Sequence, residues 1–221
     1  MQFLLLKTEP FDFKAIFGNL SSRWYYYVAL AVAFVALTLF FIFKKQPERN
    51  NLTGTQKLVY TALFSALAFT ANYFTIKLSD ALQLSFIASV GFLSGYLLGG
   101  GLGFVASFVG DLLCGIVAPF GAYNPIIGIG SGLWGFIPGV IFTYFRGNDV
   151  VKTLVSFVIS FIVCSFAVNT WGLSLMYSMS FLSLLSLLPF KLITVSVNAV
   201  LCVALTAVLP RVLPEGKFNL H

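Results

Sequence analysis

The sequence predicts an all-α polytopic membrane protein, with a six-helix core and one extra N-terminal transmembrane helix. Three observations carry that prediction. Hydrophobic residues make up 59% of the 221 and charged residues 9%, too little polar surface to face water. The apolar residues gather into runs long enough to cross a hydrocarbon core of about 30 Å. Basic residues collect at alternate junctions between those runs, as they do beside a cytoplasmic leaflet. A net charge of +6 in such a chain suits anionic lipid, and no nucleic-acid partner is expected.

Residues 1–50 form the first unit and 51–221 the second. The chain opens with scattered charges (Lys7, Glu9, Asp12, Lys14, Arg23) among Phe3, Phe11, Phe13 and Phe17, which fits a short interfacial helix and not a cleaved signal peptide. Residues 24–43 are the extra span, with Trp24, Tyr25, Tyr26 and Tyr27 at one interface and Lys44, Lys45 and Arg49 at the other. A polar linker with Pro47, Asn50, Asn51 and Gly54 leads into the core. Core spans are expected at 56–76, 84–98, 102–118, 126–145, 151–168 and 189–209.

Charge sets the orientation. Lys44, Lys45, Arg49, Lys57, Arg146, Lys152, Arg211 and Lys217 fall on one side, against Lys7, Lys14, Arg23 and Lys77 on the other. The first group is read as cytoplasmic, which puts the C-terminus inside and the N-terminus outside.

Within the spans, small residues come first. Ala62 and Ala66 share a face of the first core helix, either for packing inside the chain or for docking a partner subunit. Gly91, Gly95, Gly99, Gly103 and Gly110 run through a loop-free junction at Gly99-Gly100-Gly101, so the second and third core helices should make a very tight hairpin. Asp111 lies inside the third span. A carboxylate there must pair with a neighbouring helix, touch a ligand or serve as a proton site.

Polar groups then concentrate at the predicted outer level. Asn169, Thr170, Trp171, Ser174 and Tyr177 follow the fifth span, and Lys191 opens the sixth. Tyr123, Asn124 and Ser131 reach the same level from the preceding turn and helix. Aromatic faces stack flat heterocycles, and an amide offers both donor and acceptor. Lys191 either snorkels to the interface or meets a ligand carboxylate. The segment from Asn169 with Lys191 is therefore expected to form much of a pocket for a small, flat, partly anionic molecule.

Several classes are excluded or weakened. Cys114, Cys164 and Cys202 sit in apolar runs without CxxC spacing, and the single histidine is His221, so no metal set or membrane-protease chemistry is expected. No GxxxxGK[ST] motif occurs, so the chain is not expected to hydrolyse ATP. No cofactor is expected. The halves are not alike, which speaks against an inverted-repeat carrier. A stand-alone proton-coupled secondary carrier using Asp111 remains the alternative reading.

From about residue 52 to 209 the chain resembles the S component, the substrate-binding membrane subunit, of energy-coupling factor (ECF) vitamin transporters, specifically the folate family. The resemblance rests on Ala62-Leu63-Phe64-Ser65-Ala66, on Gly110-Asp111-Leu112-Leu113, and above all on Asn169-Thr170-Trp171-Gly172-Leu173-Ser174-Leu175-Met176-Tyr177. It implies a six-helix core that binds a folate-like vitamin from outside. It implies further partners: a transmembrane coupling subunit, docked through Ala62 and Ala66, and two cytoplasmic ATPases. It also implies that the S component topples in the membrane to carry its pocket inward. Where that family has arginine in Leu-Pro-x-Arg, this chain has Lys191, a point charge in place of a planar bidentate fork, which points to a relative of folate or another heterocycle such as a deazapurine.

Overall fold

The computed structural model describes residues 51–77, 83–117, 123–177 and 188–212, of which 77, 83–84 and 174–177 are described by backbone alone. The span expected at 24–43 and the boundary near residue 50 lie outside the described residues.

Helix α1, Gly54–Tyr73, starts where Thr53 and Gln56 form a reciprocal capping box. The Thr53 amide donates to Gln56 Oε1 at 3.0 Å and the Gln56 amide to Thr53 Oγ1 at 3.4 Å. Beyond it, β1 (Ile76–Lys77) pairs antiparallel with β2 (Gln83–Leu84), Ile76 opposite Leu84. That pairing takes residues the sequence assigned to the ends of two spans. Helix α2 consequently covers only Ile87–Leu98, 12 residues and about 18 Å, shorter than a hydrocarbon core.

Gly99, at a φ of 89°, turns the chain straight into α3, Gly100–Val117. Helix α4, Pro125–Tyr144, begins with Asn124 as N-cap and Pro125 in the first turn. Helix α5, Asp149–Ser160, is capped by Asn148 and has Asp149 in its first turn, ion-paired to Lys152 at 2.6 Å. It runs without a break into a π-helical segment, Phe161–Asn169, and then α6, Thr170–Tyr177. Helix α7, Leu188–Val212, completes six helical rods among the described residues.

Four stretches are long and apolar enough to cross a membrane among the described residues: Gly100–Val117, Pro125–Tyr144, Asp149–Leu173 and Leu188–Val212. Several of their hydroxyls are tolerated because they find a carbonyl one turn back. Thr153 Oγ1 donates to the Asp149 carbonyl at 2.8 Å and Ser156 Oγ to that of Lys152 at 2.7 Å.

The expected glycine hairpin forms, and a third helix joins it. A Cβ on Gly103 would stand 2.6 Å from Gly95 Cα and 2.9 Å from the Gly135 carbonyl oxygen. One on Gly139 would strike the backbone of Gly99 and Gly100. So α2, α3 and α4 cross backbone to backbone. Gly110 does the same against Ser65 and Ala68 of α1. Beside the crossing, Phe92, Tyr96, Phe142, Phe157 and Trp134 form an aromatic cluster, with Tyr96 and Phe142 edge to face at 4.8 Å.

Candidate functional site

The end of the bundle away from Gly99 carries the polar residues, and α4 divides them into two groups. Gly128 and Gly130 are two residues apart on α4, so by helical geometry they face nearly opposite ways, at about 200°. A Cβ on Gly128 would meet the Tyr123 hydroxyl and lie 3.4 Å from Asp111 Oδ2. A Cβ on Gly130 would instead stand 2.5 Å from Asn169 Oδ1 and 3.3 Å from Val168.

On the α3 side sits Asp111, only 8% exposed. Its Oδ1 accepts from Asn72 Nδ2 of α1 at 2.7 Å, and the Ser131 side chain stands near the carboxylate. Tyr123 lays its ring over Gly115, and its hydroxyl is buried without a partner among the described residues. Burial first, and the Asp111 charge second, push the Tyr123 phenol well above its ordinary range, so it stays a neutral donor and acceptor. Tyr123 and Ser131, expected beside Asn169, thus belong to a different polar group.

On the other side, the fifth span does not stop at residue 168. The π-helical segment carries Asn169 to its last position, and α6 holds Trp171 and Gly172. Thr170 Oγ1 reaches back five residues to the Ser165 carbonyl at 3.0 Å, so its hydroxyl is satisfied within the helix. Gly172 lies against the first turn of α4: a Cβ there would be 3.2 Å from both Ile126 and Ile127.

Asn169 presents Oδ1, buried and without a hydrogen-bond partner among the described residues. Lys191, in the first turn of α7, presents Nζ in the same condition. Helix α7 packs against the π-helical segment, so an unpaired acceptor and an unpaired ammonium stand on neighbouring elements. A buried ammonium without a partner is costly, and an anion is what offsets it. Trp171, two residues after Asn169, is partly buried. The backbone of Ser174 and Tyr177 continues α6, and their side chains lie outside the described residues.

Asn124 is placed differently again. Its Oδ1 accepts from the Ile126 amide at 3.0 Å and its Nδ2 donates to the Gly172 carbonyl at 2.8 Å. Sequence reasoning missed Asn198, fully buried in α7. Its Oδ1 accepts from the Ser89 amide (3.2 Å) and hydroxyl (2.5 Å), and its Nδ2 donates to the carbonyls of Ser85 (2.9 Å) and Thr194 (2.8 Å). A lone amide in an apolar span was the available signal.

Ala62 and Ala66 both lie exposed, in a face with Leu58, Val59, Leu63 and Leu67. Among the described residues, no helix covers this face.

Over residues 56–220 the chain matches the family ECF transporter, substrate-specific component. The chain belongs to this family of S components. Its fold is shared with solved S components. One is FolT, determined with folic acid bound, at TM-score 0.58 and 20% identity, covering 71% of this chain and 94% of that one. A second is the S component of a bacterial ECF transporter, at 0.60 and 18%, covering 72% and 98%. A third is an S component for biotin, at 0.57 and 21%, covering 76% and 98%. No curated protein matches the chain. As an S component the chain is a substrate-binding transport subunit and not an enzyme, integral to the membrane.

Proposed function

We propose that this S component binds a folate-like vitamin between the π-helical segment, α6 and α7, and delivers it to an ATP-driven importer. The observation that carries the reading is the pair of buried, unpartnered groups, Asn169 Oδ1 and Lys191 Nζ, on adjoining elements. One calls for an N–H donor and the other for an anion, and folate supplies both, with a flat ring for Trp171 to stack on. Ser174 and Tyr177 complete the α6 contribution. The fold shared with FolT supports folate as the first choice, and biotin, the substrate of another neighbour, is the comparison.

Transport would need a transmembrane coupling subunit, docked on the exposed Ala62 and Ala66 face, and two cytoplasmic ATPases. The N-terminus would lie outside and the C-terminus in the cytoplasm, with the site opening outward. A proton-coupled carrier is less well supported, because Asp111 is engaged by Asn72 on the far side of α4.

The test is binding of folic acid and of biotin to the purified protein, with mass spectrometry of any small molecule it releases. Folic acid bound tightly by the wild type, and lost in Lys191→Ala, is the expected result. Equal affinity in Lys191→Ala and wild type would remove the proposed site. Uptake by this chain alone, without ATPase subunits, would favour the carrier instead.

A further inference from the structure

Asn124 joins two elements that the chain separates by 48 residues. Its acceptor oxygen caps α4 and its amide nitrogen holds the Gly172 carbonyl. Both ends of the amide are therefore committed to the fold, at the point where α6 meets the first turn of α4. Immediately before α6 the chain is π-helical for nine residues. Runs of π geometry are rare and normally a single turn, because the wider ring packs its own backbone less well than an α-helix. A change of one residue in helical register would swing everything beyond it by about 100°. Asn169 and Trp171 keep their present directions only while this segment stays wound as it is.

We propose that Asn124 is a positioning residue, a clamp that holds α6 to α4, keeps the π-helical segment wound, and so sets how long a ligand stays. The inference rests on the reading above that Asn169, Trp171 and Lys191 line the pocket. It places Asn124 outside the ligand's contacts. The opposing elements are suited to this: Gly172 has no side chain, and its Cα approaches Ile126 and Ile127 closely enough that a Cβ would be 3.2 Å from each. With the amide donor removed, α6 loses its hydrogen bond to the N-cap of α4.

The substitution that isolates the clamp is Asn124→Asp. It keeps the size and the capping oxygen of asparagine, which cap helices about equally well, but it cannot donate to Gly172. Asn124→Thr, whose hydroxyl also caps, makes the same comparison should the aspartate variant not fold. The first readout needs no ligand: hydrogen exchange of the backbone amides of residues 170–177 in the purified protein. One hydrogen bond of about 0.5–1.5 kcal/mol corresponds to roughly two- to tenfold faster exchange there, with residues 128–131 of α4 unchanged. The second readout is kinetic. Folic acid, or biotin if that is the vitamin bound, should leave faster by a similar factor while its association rate stays the same.

Unchanged exchange at 170–177 in both variants overturns the clamp. So does an affinity loss that appears only in the association rate, which would mark Asn124 as a ligand contact. If the wild type binds neither folic acid nor biotin, the vitamin assignment fails while the exchange comparison still decides the clamp.

Discussion

Asn72 of α1 and Asp111 of α3 are bound amide to carboxylate at 2.7 Å, in the polar group that also holds Tyr123 and Ser131. The pair ties the helix that carries the exposed alanines to the helix at the centre of the glycine crossing. Asn72→Leu takes a donor from a buried carboxylate and should destabilise the protein by about 1–3 kcal/mol. Adding Asp111→Leu should recover most of that loss, because removing both partners leaves no stranded charge. Thermal unfolding in detergent of the two single variants and the double variant checks this. A double variant as unstable as the sum of the singles would refute it.

The three-helix crossing predicts an uneven response to added methyl groups. Gly103→Ala places a Cβ 2.6 Å from the Gly95 backbone and should cost about 1–3 kcal/mol or prevent folding. Gly101→Ala meets nothing within 4 Å and sits in helix α3, so it should be neutral or stabilising by up to about 1 kcal/mol. Melting temperatures of the two proteins side by side decide the matter.

Lys191 gives a charge test. Lys191→Met keeps the length of the side chain and removes the ammonium. It should raise the melting temperature of the empty protein, since an unpaired buried cation is lost, while weakening folic acid binding at least about tenfold. A variant with unaltered stability and affinity would show that the ammonium reaches water.

The face around Ala62 and Ala66 separates binding from transport. Ala62→Trp adds bulk to an exposed position and should leave folic acid affinity unchanged. Uptake into cells that supply the coupling subunit and ATPases should fall to background. Normal uptake would mean that another surface docks the partner.

Much of this architecture could be read from residue order alone, because membrane spans are written in hydrophobicity and their close contacts in glycine spacing. The Gly99 hairpin was legible in that way. Less visible was where helices end. Residues 83–84 look like the start of a span, yet they pair with 76–77 as strand. Asn169 and Thr170 look like a loop, yet the helix runs through them and Thr170 satisfies its hydroxyl within it. Which flank of a helix a residue takes also escapes a linear reading. Tyr123 and Ser131 lie close in sequence to Asn124, but α4 turns them toward Asp111 and away from Asn169. The part of Gly135 and Gly139 in the crossing needs three helices to be placed at once, and spacing within any one of them does not specify it.

The bare crossing of α2, α3 and α4 has a consequence for how such a protein can change. Where main chain rests on main chain there is no side chain left to exchange, so that half of the molecule has almost no room for variation. The opposite rim, built from amides, rings and one cation on helix ends, can be rewritten residue by residue without disturbing the stiff half. Change at that rim leaves the keel as it is.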